Sequence, residues 1–135
     1  SIYKKTIGLE KRGFLEGIVT KEGKMPEKVI YSLTEAGEKE FDRLMFEISS
    51  KPIHLFLDFN AVIVNLGFLT KEKQEECISE IEKKVEVLKQ YLKENIQAKE
   101  RLPEIPETGM AVLRQQMILA EAIEAWIVTL KQRDK

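Results

Sequence analysis

The sequence has 135 residues, of which 43% are hydrophobic and 33% charged, with a formal net charge of −1. No apolar run approaches the roughly 20 residues that span a bilayer, and no basic-then-apolar leader is visible, so nothing in this sequence predicts a membrane-spanning or exported protein. The single cysteine, Cys77, cannot form an intramolecular disulfide, so we expect a cytoplasmic protein of one domain or two small ones.

The small net charge conceals an asymmetry along the chain. Residues 1–33 carry seven Lys or Arg against four Glu, whereas residues 34–135 carry fifteen basic against nineteen acidic residues. A basic start on an acidic remainder is typical of a small DNA-contacting surface, because neutralising phosphates supplies much of the affinity for DNA.

The first third of the chain is predicted to form a helix followed by a β-hairpin. The helix runs from Ile2 to Arg12 and ends at Gly13, since glycine tolerates the left-handed conformation of a C-terminal cap. Strands at 15–20 and 28–33 flank a turn that contains Gly23 and Pro26. This order of elements predicts the second half of a winged helix-turn-helix unit, with the first helix as the recognition helix.

Two further helices are predicted before residue 70. Thr34 is a good N-cap for a helix that ends near 49–52. The most apolar segment follows, and Asp58 is predicted to cap a short helix over 59–66 that Gly67 closes.

Two long helices complete the chain. Thr70 is predicted to cap a helix that reaches about Arg101, and after Pro103 and Pro106 a last helix runs over 107–131. Apolar residues recur at spacings of three and four along both helices, as in a dimerisation seam. The residues predicted to form it are Ile78, Ile81, Val85, Leu88, Leu92, Leu119, Ile123, Trp126, Ile127 and Leu130.

The first 40 residues also resemble a known family. Three segments carry the resemblance, at residues 1–4, 9–15 and 23–37, and the last of these ends in Leu33-Thr34-Glu35-Ala36-Gly37. Together they resemble the PadR family of transcriptional regulators. In the last helix, residues 121–126 resemble a Glu-x-x-Trp-like pattern of the longer-armed members, although Thr6 and Gly8 depart from the family pattern of the recognition helix.

The resemblance implies a dimeric repressor whose C-terminal helices clasp the partner subunit. A two-fold dimer would suit a palindromic operator, and we expect an effector to release it from DNA. Because no catalytic motif is present, we expect no enzymatic activity and no cofactor. Two helices precede the recognition helix in that family, so we expect residues before Ser1 in the native protein. From the resemblance and the basic charge of the first helix, we expect these residues to contact DNA: Tyr3, Lys4, Lys5, Lys11, Arg12, Lys24 and Lys28.

Residues 1–50 are thus predicted to form a partial winged-helix domain, and residues 51–135 a helical dimerisation domain. The apolar seam could instead pack only within one chain. However, two helices with two apolar stripes leave surface uncovered, which favours a homodimer. A non-DNA-binding helical adaptor on a winged-helix scaffold is the alternative function.

Other candidate sites have simpler explanations. Phe56, Phe59, Phe68 and Trp126 could line a pocket for a small apolar effector, but ordinary packing is favoured over a ligand site. His54 has no second ligand at metal-binding spacing, so no metal site is predicted. Cys77 has no motif that would stabilise its thiolate, and no catalytic motif is present.

Overall fold

The computed structural model describes residues 2–133; Ser1, Asp134 and Lys135, which the predicted domains include at their ends, lie outside the described residues. The chain divides into two compact units, Ser1–Leu55 and Phe56–Lys135, here called the N-terminal unit and the helical unit. The predicted domain boundary lies five residues earlier. The predicted class, mainly helical with one small β-hairpin, is confirmed. The elements are α1 (Ile2–Lys11), β1 (Leu15–Thr20), β2 (Lys28–Leu33), α2 (Glu35–Ser49), α3 (Asn60–Val64), a 3₁₀ helix (Leu66–Phe68), α4 (Lys71–Glu100) and α5 (Glu107–Gln132).

The hairpin of the N-terminal unit follows the predicted boundaries. Helix α1 ends before Gly13, whose φ of 82° is the left-handed conformation expected of a glycine cap. Strands β1 and β2 are antiparallel, with Leu15 opposite Leu33 and Thr20 opposite Lys28. The turn between them uses a second left-handed glycine, Gly23, with a φ of 56°.

Thr34 ties α1, the hairpin and α2 together at one junction. Its hydroxyl accepts a hydrogen bond from the Gly37 amide at 3.0 Å and donates to the Gly13 carbonyl at 2.5 Å. Its own amide donates to the Phe14 carbonyl at 3.1 Å. Gly37 is buried, and a Cβ built there would lie 2.0 Å from the Phe14 oxygen. The first turn of α2 can therefore approach the end of α1 only because residue 37 has no side chain.

Two predictions in the apolar segment are wrong. Helix α3 begins at Asn60 with Phe59 as N-cap, and no side chain caps it. Asp58 cannot act as the cap because backbone carbonyls already accept from the first amides: Asn60 donates to Leu57 at 3.0 Å and Ala61 to Asp58 at 3.2 Å.

The end of this segment also differs from the prediction. Helix α3 stops at Val64, and Gly67 lies inside the following 3₁₀ helix without a positive φ, so it is not a left-handed cap. The side chain of Gln74 instead fixes this segment to α4, donating to the carbonyls of Leu66 at 2.8 Å and Leu69 at 3.0 Å.

Helices α4 and α5 pack against each other and form the core of the helical unit. Thr70 caps α4 as predicted, accepting from the Lys73 amide at 3.3 Å. Three buried residues, Ile78, Val85 and Ile127, form one apolar cluster between the helices. The remaining buried apolar residues of the unit are Leu92, Met110 and Ala120.

Two ion pairs join α4 to α5. Lys89 Nζ lies 2.8 Å from a carboxylate oxygen of Glu124, and Lys131 Nζ lies 2.5 Å from one of Glu82. The hydrogen bond from Lys89 is the main cause of the lowered pKa of Glu124 and, reciprocally, of the raised pKa of Lys89. Both pairs bridge the two helices beside the apolar cluster.

Candidate nucleic-acid interface

The basic residues of α1 form two rows on its exposed surface. With about 3.6 residues per turn, residues seven apart share a row. Lys4 and Lys11 make one row and Lys5 and Arg12 the other, and all four are exposed. Tyr3, with 72% of its surface exposed, lies on a third row. The four α1 residues predicted to contact DNA, and Arg12 in the turn that follows α1, are therefore accessible on more than one side of the helix.

Three consecutive residues in the middle of α1 are less exposed than the rest of the helix. Thr6, Ile7 and Gly8 are all partly buried. The Thr6 hydroxyl donates to the Ile2 carbonyl at 2.8 Å within the helix, so the polar departure from the family pattern is accommodated locally. A Cβ built at Gly8 would meet nothing within 4 Å. No steric requirement for glycine exists at this position.

The hairpin turn carries the second basic group. Lys24 and Lys28 are exposed, one in the turn and the other at the first position of β2. Lys21 is exposed in the same turn and was missed by the sequence reasoning, although its position between the two strands was already a signal. Three lysines thus meet at the hairpin tip beside two glutamates, Glu22 and Glu27.

Helix α2 contributes an ion-pair cluster that the sequence did not reveal. Arg43 forms a close ion pair with Glu40 and bonds Glu47 at 2.9 Å. The hydrogen bond from Arg43 lowers the pKa of Glu40, and the charge of Arg12 lowers it further. Glu40 therefore places a negative charge near one residue of the predicted DNA-binding set.

The predicted dimerisation residues are unevenly exposed. The structure buries Ile78, Val85, Leu92 and Ile127 within one chain, and half-buries Ile81, Ile123, Trp126 and Leu130. Only Leu88 and Leu119 remain 42% and 46% exposed. Much of the seam is thus already covered by contacts between α4 and α5. Further exposed apolar residues on these helices are Val87, Tyr91, Val112, Ile118 and Val128.

A cleft of about 530 Å³ opens beside the connection that leads into α3. Apolar side chains make most of its wall, and three charged residues, Asp58, Glu80 and Lys84, complete it. Lys84 has no hydrogen bond or ion pair within residues 2–133. The apolar wall consists of Phe56, Leu57, Phe59, Ile81, Val85, Leu88 and Ile123.

The four aromatic residues considered for an effector pocket have different positions. Phe56 and Phe59 line the cleft. Phe59 also stacks on Trp126, with ring centroids 5.8 Å apart and an interplanar angle of 18°. Phe68 is 88% exposed and does not line the cleft. Two of the four thus share the cleft wall, and Trp126 supports one of them.

The remaining candidates have no partners that would make them sites. His54 is exposed and Cys77 is partly buried as a free thiol. Within residues 2–133 there is no group of three or more His, Cys, Asp or Glu side chains that could hold a metal ion. None of the helices in the described range is long and apolar enough to cross a membrane.

A helix, a two-stranded hairpin and, in the second unit, a pair of long helices match a winged-helix fold. Neither a family model nor a curated protein sequence matches this chain. Its fold is that of the PadR transcriptional regulators, which confirms at the level of fold the resemblance found in the sequence.

Three solved structures show this likeness. Bacillus subtilis PadR in complex with operator DNA has a TM-score of 0.75 at 19% identity, covering 96% of this chain and 75% of that one. The same protein in complex with p-coumaric acid has a TM-score of 0.71 at 18% identity, covering 99% and 77%. A PadR-like transcriptional regulator from Bacillus cereus has a TM-score of 0.59 at 17% identity, covering 99% and 74%.

Proposed function

We propose that this chain is a DNA-binding transcriptional regulator and not an enzyme. The observation that carries the proposal is the exposure of lysines and arginine along α1 next to a lysine-bearing hairpin tip, in the arrangement that places a helix in the major groove and a wing beside it. The likeness of the fold to PadR, solved in complex with operator DNA, supports this function.

The test is salt-dependent binding to DNA from upstream of its own gene, followed by fluorescence anisotropy. Each phosphate contact contributes about 0.9 to the slope of log affinity against log salt concentration. The variant Lys4→Glu/Lys24→Glu/Lys28→Glu should bind more weakly and lose about 2 to 3 from that slope. Lys93→Glu, at an exposed position on α4, is the matched control and should bind DNA as the unaltered chain does.

We propose that the regulator is a homodimeric repressor that blocks transcription by occupying a palindromic operator. The support is the set of apolar side chains that α4 and α5 leave exposed, among them Leu88 and Leu119. Two copies related by a two-fold axis would read half-sites about 34 Å, or one helical turn, apart. Leu119→Glu should convert dimer to monomer in sedimentation, whereas Gln116→Glu, also exposed on α5, should not.

Loss of the dimer should weaken binding to a two-half-site operator more than binding to a single half-site. A dimer that survives both Leu88→Glu and Leu119→Glu would place the interface elsewhere. A reporter gene behind the operator separates repression from activation, because deleting a repressor raises expression.

We propose that the cleft beside α3 binds a small, largely apolar effector. Its aromatic and aliphatic wall suits an apolar ring, and the Lys84 ammonium, which has no ion-pair partner within residues 2–133, suits an anionic group. The complex of Bacillus subtilis PadR with p-coumaric acid supplies the first probe to use. Titrating p-coumaric acid while following Trp126 fluorescence tests the cleft, because the Phe59 ring links Trp126 to the cleft wall.

Lys84→Ala should weaken binding of the probe about tenfold or more, as expected for loss of a charge-assisted contact. Lys93→Ala is the matched control, since Lys93 is exposed on α4 and does not line the cleft. Equal binding of p-coumaric acid by both variants would overturn the role of Lys84 in the cleft. This result would not affect the proposed DNA binding, which is measured separately.

The alternative function is an adaptor that binds a protein partner. Exposed Glu72, Glu75, Glu76 and Glu80 near the start of α4 favour it, because they form an acidic surface. The charge-reversal variant of α1 and the hairpin separates the two functions. In a regulator, the variant loses DNA affinity while the dimer is unchanged. In an adaptor, the variant still binds the protein partner, and neither the variant nor the unaltered chain binds DNA.

A further inference from the structure

Gly17 on β1 leaves a notch in the face of the hairpin that receives α1. A Cβ built at this position would lie 2.9 Å from the Glu10 Oε2 atom, 3.0 Å from Tyr31 Cε1 and 3.1 Å from Val29 Cγ1. Gly17 is paired with Tyr31 in the hairpin and has no unusual φ, so its backbone does not require glycine. A Cβ at residue 17 would instead crowd the neighbouring side chains, and the atom nearest to it would be the flexible end of the Glu10 carboxylate.

Glu10 is the only acidic residue of α1. Its carboxylate makes no hydrogen bond or ion pair within residues 2–133. With about 3.6 residues per turn, Glu10 shares a row with Tyr3 and lies on a different side of the helix from Lys4 and Lys11. Glu10 is exposed as a residue, but the end of its carboxylate lies beside Gly17 of the hairpin, on a row about 100° around the helix from that of Lys4 and Lys11.

We propose that Gly17 is a positioning residue of the DNA-binding unit, whose notch keeps the Glu10 carboxylate away from the phosphates that α1 approaches. The inference rests on the proposed DNA-binding function. A methyl group at residue 17 displaces the flexible end of Glu10 from the hairpin. The displaced carboxylate then moves outward along the row of Tyr3, into the surface expected to meet DNA.

The consequence is electrostatic, which separates it from a change in hairpin shape. A carboxylate brought within several ångströms of a phosphate in a water-like medium lowers affinity by about threefold. This loss shrinks as salt is added, because exposed charges are screened over about 10 Å at 0.1 M ionic strength. A distorted hairpin would instead weaken binding whatever the charge of residue 10.

The experiment measures DNA affinity of the full chain by anisotropy at low and high salt for four variants. Gly17→Ala should bind about threefold more weakly at low salt, with most of the loss gone at high salt. Glu10→Gln alone should change affinity by less than about twofold, because the group it neutralises already points away from DNA. Gly17→Ala/Glu10→Gln should bind as Glu10→Gln does, since the displaced group is then uncharged.

The matched control is Gly17→Ala/Glu16→Gln. Glu16 is an exposed acid next to Gly17 on β1, and its neutralisation should not rescue binding. If Gly17→Ala/Glu10→Gln binds DNA as weakly as Gly17→Ala does, the proposal is overturned, and the effect of residue 17 is purely steric. Failure of the unaltered chain to bind any duplex would overturn the proposed function and this inference with it.

Discussion

Replacing Gly37 by alanine should uncouple the start of α2 from the end of α1. In the helix itself alanine is favoured over glycine by about 1 kcal/mol, so propensity alone predicts a more stable protein. The structure predicts the opposite, because the new Cβ would lie 2.0 Å from the carbonyl oxygen of Phe14 and 3.1 Å from a methyl of Leu33. A backbone oxygen cannot rotate away, so α2 must move.

The magnitude follows from what that movement breaks. Overpacking a tight site costs about 1 to 3 kcal/mol. Displacing the junction also endangers the Thr34 amide bond to Phe14 and the Thr34 hydroxyl bond to Gly13, at about 1 kcal/mol each. After subtracting the helix propensity, we expect the N-terminal unit to lose about 2 to 4 kcal/mol.

Amide hydrogen exchange in β1 and β2 measures this loss, because it reports opening of the N-terminal unit separately from the helical unit. Gly8→Ala is the matched control: it is also a helical glycine, but its Cβ would meet nothing within 4 Å. That variant should gain up to about 1 kcal/mol. Equal protection in Gly37→Ala and Gly8→Ala would refute the argument that close approach, and not helix propensity, decides residue 37.

Three further predictions concern the helical unit. The hydrogen bond from Lys89 lowers the pKa of Glu124 below its usual value of 4.5. The stability that this pair contributes is therefore complete above pH 4.5 and is lost as the pH falls through the lowered pKa. Glu124→Gln should flatten that part of a curve of unfolding free energy against pH. Phe59→Ala should cost about 2 kcal/mol and alter tryptophan fluorescence, whereas Phe68→Ala, at an 88% exposed position, should change neither. Ile127→Ala, at a position only 2% exposed, should cost about 2 to 5 kcal/mol in denaturant unfolding, and a loss below 1 would contradict the assigned core.

Local signals were sufficient where one backbone requirement dominated. The hairpin boundaries agree with the sequence because β-branched strands flank a turn that needs glycine. Thr34 and Thr70 cap helices as predicted, since a threonine oxygen before a helical pattern has unsatisfied amides to accept from. Positive φ at Gly13 likewise agrees with its predicted role.

Sequence reasoning failed where competing partners were invisible. Asp58 has the right chemistry for a cap, but the carbonyls of Leu57 and its own backbone already satisfy the first amides of α3. Gly67 has the freedom to end a helix, yet the chain enters a 3₁₀ turn before reaching it. Both outcomes depend on which backbone carbonyls lie close enough to accept hydrogen bonds from the amides of this segment. Residue type alone does not determine that.

The candidate site was predictable in outline only. Basic residues on α1 and at the hairpin tip are visible as charges in the sequence. Their division into rows can be assigned only when the bounds of the helix are known. The notch at Gly17 was not predictable, because nothing in the sequence brings Glu10 over a strand residue. Apolar periodicity also could not tell which of the seam residues pack within one chain, since Ile78 and Leu88 follow the same spacing and only Ile78 is buried.

The junction at Thr34 has a consequence for how this protein can be controlled. Thr34 holds the turn after α1 and the first turn of α2 through its hydroxyl, and the entry to the hairpin through its backbone amide, so we expect these three segments to move together. Under the proposed function, a signal received in the helical unit would act on DNA by moving that surface as a whole. In a two-fold dimer, this would change the spacing the protein tolerates between half-sites and leave its preference for each half-site intact. If the proposed effector binds, operators with altered spacers, more than operators with altered bases, are the DNA duplexes for which the effector-bound and effector-free protein should differ in affinity.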